Sequence, residues 1–132
     1  MARIETYTDN ESDYEATSDV GDAQLTVHAT GKTAPSPNEV LLADYASCFS
    51  FAVRAAARDG DVDDLGRMEV DARGQLDADD DLESVRFTLR VESQLADTTE
   101  NRLLEDAHDL CHVEAALHDG LIADVEVETD AF

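Results

Sequence analysis

From Ser36 to Gly60 the sequence writes one long helix that is apolar around nearly its whole circumference, and such a helix has to be enclosed. Ser36-Pro37-Asn38-Glu39 supplies the start, with Ser36 as N-cap, Pro37 at the first helical position and Glu39 where a capping box places its acid. The helix is expected to run from Pro37 to about Asp59 and stop at Gly60, with Arg54 and Arg58 set against the macrodipole in its last turns. Between Val40 and Ala57 the polar positions are Asp44, Ser47, Ser50 and Arg54, a narrow stripe. The helix therefore belongs at the centre of a core, and of a larger core than 132 residues build alone.

The remaining sequence surrounds this helix with strands and one further helix. Ile4, Thr6 and Thr8 alternate with Glu5, Tyr7 and Asp9, a second short run follows at Tyr14 to Thr17, and Gln24 to Ala29 alternates again. Gly21-Asp22 and Gly31-Lys32 read as turns. Beyond the long helix, Met68, Val70 and Ala72 share one face, as do Val85, Phe87, Leu89 and Val91, and the acidic turn Asp77 to Asp81 makes the two runs a hairpin. Asp97 with Glu100, or Thr98, is expected to open a second helix that buries Leu103, Leu104, Ala107, Leu110 and Cys111 and exposes Arg102, Glu105, Asp106 and Asp109. A last strand spans Ile122 to Glu128. The order of elements is that of a single α+β domain over residues 1–132, with antiparallel strands and two helices, the first of them central and buried.

Charge excludes several functions. The 32 acidic residues stand against 9 basic ones, a formal charge of −23 that repels phosphate backbones and anionic lipid, so neither nucleic acid nor membrane is an expected partner. With 42% apolar residues the chain is nonetheless a folding one. Acid spread along the whole length with Lys32 as the single lysine is the balance of a surface kept soluble in molar salt, a halophile's adaptation. The N-terminus lacks a basic stretch followed by an apolar one, and Asp44 and Arg54 interrupt the apolar helix, so a cytoplasmic location is expected, without a membrane span.

In a reducing compartment the two cysteines read as free thiols or a redox pair rather than a permanent bridge. Cys48 shares a helix face with Leu41, Tyr45, Ala52 and Ala55, and Cys111 lies on the apolar face of the second helix, so both thiols point into one interior. Three readings follow: a thiol pair that cycles through sulfenic acid and disulfide, two inert core cysteines, or metal ligands. His108 and His112 have the i, i+4 spacing of a zinc helix, and His118 follows, but no Cys-x-x-Cys or Glu-rich motif accompanies them, and no metal or other cofactor is expected. His108 could serve Cys48 as the base of a cysteine hydrolase, although no other feature of the sequence supports it. The four Asp between Asp77 and Asp81 lack calcium-loop spacing and read as a solvated turn.

The segment Pro37-Asn38-Glu39-Val40-Leu41-Leu42-Ala43-Asp44-Tyr45-Ala46-Ser47-Cys48-Phe49 resembles the signature of the OsmC/Ohr family, osmotically induced protein C and organic hydroperoxide resistance protein: a Pro, an alanine-rich apolar helix, and a Cys eleven residues after the Pro. Leu110-Cys111-His112-Val113 resembles that family's second-cysteine helix, in which Pro commonly follows the Cys. The resemblance covers nearly the whole chain. It implies an intertwined homodimer of α+β subunits with the cysteine helices at its centre, a peroxidatic Cys48 and a resolving Cys111. It further implies reduction of organic hydroperoxides or hydrogen peroxide in oxidative-stress defence, with an external dithiol, such as a lipoyl group, as reductant. The peroxidases of the family carry an activating Arg in the N-terminal strands and a Glu directly after the Pro that orients it. Here only Arg3 and Lys32 precede Pro37 and Asn38 follows it, which leaves Glu39 between a supporting role at the site and its capping box with Ser36. The alternative is a non-catalytic stress or small-molecule-binding protein of the same fold with buried thiols.

Overall fold

The structure is a computed structural model that describes residues 2–62 and 64–132. Its contacts divide it into two compact units, Met1–Leu41 and Leu42–Phe132.

In the first unit β1 (Thr6–Asp9), β2 (Glu15–Val20) and β3 (Ala23–His28) pair antiparallel in that order. Gly21 turns β2 into β3 at φ 59°, where a residue without Cβ meets no strain. The alternation at Ile4 and Glu5 runs ahead of β1, and Ile4 is almost fully exposed. The long helix, α1 (Pro37–Asp59), starts from the expected capping box: the Ser36 amide donates to Glu39 Oε1 at 3.0 Å and the Glu39 amide to Ser36 Oγ at 3.2 Å. The bond from the Ser36 amide, with help from its hydroxyl, holds the Glu39 carboxyl below its ordinary range.

The second unit holds the rest of α1 with β4 (Met68–Leu76), β5 (Leu82–Val91), α2 (Asp97–Leu110), the short α3 (His112–Ala116), a single 3₁₀ turn at Asp119–Leu121 and β6 (Asp124–Glu128). β5 is the middle strand, antiparallel to β4 as expected but parallel to β6, a departure from the expected antiparallel strands that follows from the helical crossover of α2 and α3 between the two. Registers Phe87↔Ala72 and Phe87↔Val125, and Leu89↔Val70 and Leu89↔Val127, put the apolar residues of all three strands on one face. Against that face lie Tyr45, Phe49, Ala52, Val53, Ala56 and Ala57 of α1. The Phe87 ring meets Tyr45 edge to face at 4.7 Å between centroids and Phe49 at 5.4 Å. On the other face Arg90 pairs with Glu69, Asp71 and Glu128. By length and hydropathy alone α1 could cross a bilayer, Asp44 and Arg54 inside its apolar stretch notwithstanding; what assigns it to a core is the burial of these six side chains.

Helix ends depart from the expected pattern in three places. α1 closes with the Val62 amide on the Ala57 carbonyl at 2.8 Å and the Asp61 amide on that of Arg58 at 3.3 Å, and the left-handed residue is Asp61 (φ 55°), one beyond Gly60. Asp tolerates that region better than most side chains, so the glycine marked the stop without supplying its geometry. α2 is preceded by Ala96, which gives no side-chain cap, while Asp97 and Glu100 complement the dipole inside the first turn. Finally, α2 ends at Leu110, which is 39% exposed rather than buried as expected; Cys111 is extended (φ −75°, ψ 109°), and α3 begins at His112. The acidic turn gathers Asp77, Asp79 and Asp81, all exposed, with Asp77 Oδ1 accepting the amides of Asp79 and Asp81, a self-contained turn in solvent.

The central ring sets the stability of this layer. Phe87→Ala should cost about 3–5 kcal/mol, and Arg86→Ala, on the solvent face of the same strand, less than about 0.5 kcal/mol; denaturant midpoints of the two variants measure the contrast.

Candidate active site

α1 sends Tyr45, Cys48 and Phe49 along one face, at the i, i+3, i+4 spacing of a single helical stripe. Tyr45 and Phe49 are sealed in the core, whereas Cys48, packed at its margin, is half-buried. Cys111 is 1% exposed and stands where α2 gives way to α3. Both cysteines are free thiols, and they are neighbours: Cys48 packs against the core that holds Cys111 and acts on its thiol. The two cysteines that the sequence assigns to one interior therefore stand in the same region, one half-buried and one enclosed.

Around them is a polar cluster that the sequence reading did not assemble. The Tyr45 hydroxyl donates to Glu114 Oε1 at 2.5 Å and accepts the Ala123 amide at 2.9 Å. His108 Nδ1 pairs with Glu114 Oε1 at 2.8 Å and Oε2 at 2.9 Å, and its ring packs on Phe49 at 5.1 Å. Glu114 is only 5% exposed, a carboxylate satisfied from two sides. The helix break creates this grouping. In an uninterrupted helix His108 and Glu114 would stand about 120° apart, and the extended Cys111 backbone turns them together.

Burial pushes the Cys111 thiol up to about 11; the adjacent Cys48 side chain and the Glu114 carboxylate act in the same sense, while the Glu114 backbone N–H opposes them. Burial and the bond to Glu114 likewise raise the Tyr45 hydroxyl, so it stays a proton donor. His108 is thus committed to Glu114, and the exposed His112 stands on the far side of the break, out of the continuous helical register that a zinc helix needs. Asp44 is exposed. Among the described residues no Arg or Lys side chain is hydrogen-bonded to Cys48; Arg54, its nearest arginine on α1, donates to the Gly66 carbonyl at 2.7 Å.

The signal for Cys48 and Cys111 is in the sequence. For Glu114 it is faint: an acid three residues past a buried Cys, in a segment otherwise apolar at Val113, Ala115 and Ala116. Tyr45 is visible only as a neighbour of Cys48 on the helix face.

Comparison with known proteins adds the lineage. The family model described as OsmC-like protein matches residues 11–126. The chain is 46% identical over 132 residues, the full length of both, to an uncharacterized protein of Haloferax volcanii. It is 31% identical over 104 residues to organic hydroperoxide resistance protein-like 1 of Staphylococcus epidermidis, covering 76% of this chain and 73% of that one. In fold it is similar to the OsmC-like protein of Mycoplasma pneumoniae, with a TM-score of 0.83 at 15% identity over 97% of each chain.

The thiol shift has a sign that can be checked. Because the folded value lies above the ordinary 9.0, Cys111 contributes stability below that value, and the contribution is lost as pH climbs toward about 11. In the folded protein, iodoacetamide should label Cys48 well before Cys111, and Cys111 labelling, followed by peptide mass, should keep accelerating with pH up to about 11.

Proposed function

This chain belongs to the family of OsmC-like proteins, and on that premise we propose that it is a cysteine-based peroxidase reducing organic hydroperoxides or hydrogen peroxide, with Cys48 attacking and Cys111 resolving. The single observation that supports the reading is a half-buried free thiol next to a fully buried one in the same core. The Cys48 thiolate attacks one peroxide oxygen, the O–O bond breaks, the alcohol or water leaves with a proton, and Cys48 becomes a sulfenic acid. Cys111 sulfur then displaces the hydroxyl from Cys48 sulfur, giving water and a disulfide. An external dithiol, of the lipoyl kind, restores both thiols by exchange, in keeping with a reducing cytoplasm. Glu39 supports this chemistry only through the start of α1.

The working unit in this proposal is a homodimer. Phe51 on α1 is 68% exposed, and in the first unit Tyr7 of β1 and Tyr14, just ahead of β2, stand in solvent beside a sheet that buries almost nothing. Apolar surface of that kind is what a second subunit covers. The charge of −23 belongs with a protein that works in concentrated salt, and the Haloferax volcanii relative supports that setting.

Intact mass reads the chemistry directly. After a stoichiometric organic hydroperoxide the protein should lose two hydrogens, and Cys111→Ser should instead gain one oxygen, trapped as sulfenic acid at Cys48; an unchanged mass under excess oxidant would overturn the proposal. Thermal unfolding should move upward by several degrees from about 0.1 M to about 3 M KCl as self-repulsion is screened, and a flat response would remove the salt-adapted reading.

A further inference from the structure

The two cysteines are carried by elements of unequal firmness. Cys48 rides on α1, a continuous helix of 23 residues. Cys111 is the single extended residue between α2 and the five-residue α3, and a helix that short does not hold its own place in water. Side-chain bonds on either side of Cys111 hold it instead. His108, three residues before it, donates from Nδ1 to the carboxylate of Glu114, three residues after it, at 2.8 and 2.9 Å. Glu114 Oε1 also accepts the hydroxyl of Tyr45, which stands on α1 three residues before Cys48, at 2.5 Å. The same phenolic oxygen accepts the Ala123 amide at 2.9 Å, beyond the 3₁₀ turn. Tyr45 is 1% exposed and Glu114 5%, so solvent does not compete for these bonds.

We propose that Tyr45 and Glu114 are positioning residues for the resolving step, their bond fastening the segment that carries Cys111 to α1 one helical turn from Cys48. The inference rests on the paired-thiol reading and adds to it the device that sets the reach of the second sulfur. A disulfide closes only over a narrow range of separation and dihedral angle, so closure depends on where the α3 segment stands relative to α1. In the step itself the Cys111 S–H and the Cys48 S–OH become an S–S bond and water, the thiol proton leaving with the displaced hydroxyl. The thiol sulfur is oxidised and the sulfenic sulfur reduced, and no further reagent is consumed. Tyr45 and Glu114 gain and lose no atom in it. They act on the rate by keeping the two sulfurs in near-attack geometry, where a small displacement far from the chemistry is costly.

Closure can be read without peroxide. One equivalent of dithionitrobenzoate forms a mixed disulfide at Cys48 and releases a first coloured thiolate. Cys111 then displaces a second, so that the two thiols give up two protons and two electrons and the reagent becomes two thiolates. In wild type both releases are expected. Tyr45→Phe keeps the ring against Phe87 and loses only the hydroxyl. It and Glu114→Ala should each slow the second release at least about tenfold, while the first stays within about twofold. The double variant should be no slower than the slower single one, because both changes remove the same bond. Glu114→Gln, whose side-chain carbonyl still accepts from Tyr45, should close at close to the wild-type rate. Leu89→Ala, which loosens the same core away from that bond, should leave the ratio of the two rates unchanged. Should Tyr45→Phe fail to fold, Glu114→Ala against Glu114→Gln decides. A second release at the wild-type rate in Tyr45→Phe or Glu114→Ala overturns the proposal. So does equal slowing in Leu89→Ala or Glu114→Gln, additive slowing in the double variant, or a wild type that never gives the second release. A wild type that closes with dithionitrobenzoate but forms no disulfide with a hydroperoxide overturns the peroxidase reading and leaves the positioning role in place.

Discussion

One phenolic oxygen ties this site together. Tyr45 hangs from α1, donates to Glu114 of α3 and accepts the amide of Ala123 just ahead of β6, so three segments distant in sequence are fixed to one atom. Its ring is at the same time half of the edge-to-face pair with Phe87, at the middle of the apolar face of the sheet. A buried carboxylate is expensive unless its lone pairs are occupied, and losing one partner of such a group typically costs about 3–5 kcal/mol. The cluster is therefore a constraint as much as a source of stability. With Glu114 held by Tyr45 and His108, α3 cannot rotate, and the Cys111 sulfur stays beside Cys48.

The same constraint explains why the second helix is broken. A continuous helix from Asp97 to Ala116 would bury Cys111 but turn Glu114 away from His108. One extended residue at Cys111 satisfies both demands, and the cost is moderate, because its amide still reaches the Ala107 carbonyl at 3.0 Å and its own carbonyl still accepts Ala115 at 3.1 Å. The interruption falls where the resemblance led one to look for a proline after the cysteine. Here His112 occupies that place, so the break is held by tertiary contacts rather than by a missing N–H.

Most of the fold could be read from periodicity. The strands of the β4–β5 hairpin and the alternation through β6 follow directly from side-chain spacing, because each has one apolar face, and the span of α1 follows from its capping box, its unbroken apolar run and Gly60. What escaped the reading depended on contacts between elements. The end of α2 at Leu110 has no breaker residue, the Asp61 left-handed cap looks like any surface acid, and Glu114 is an acid whose burial depends on Tyr45 sixty-nine positions earlier. Local pattern carries no trace of such a pairing, so the cysteines were legible and the groups that control them were not.

Thiol order in a pair depends on a difference, and a difference can be set from either side. The activating Arg implied by the resemblance has no counterpart bonded to Cys48 among the described residues, and with nine basic residues in the chain, several already engaged with carboxylates or backbone carbonyls, positive charge is scarce. Enclosure of Cys111 works from the opposite side. Moving its thiol from 9.0 to about 11 leaves about a hundredfold less thiolate at neutral pH, and its 1% exposure shuts out any oxidant. Under the proposed chemistry, Cys48 is the first to react because its partner is withheld, and Cys111 acts only against the neighbouring sulfur. A highly acidic protein, in which a thiolate-stabilising cation would be drawn into surface ion pairs, gains from an order of attack that rests on burial and not on charge.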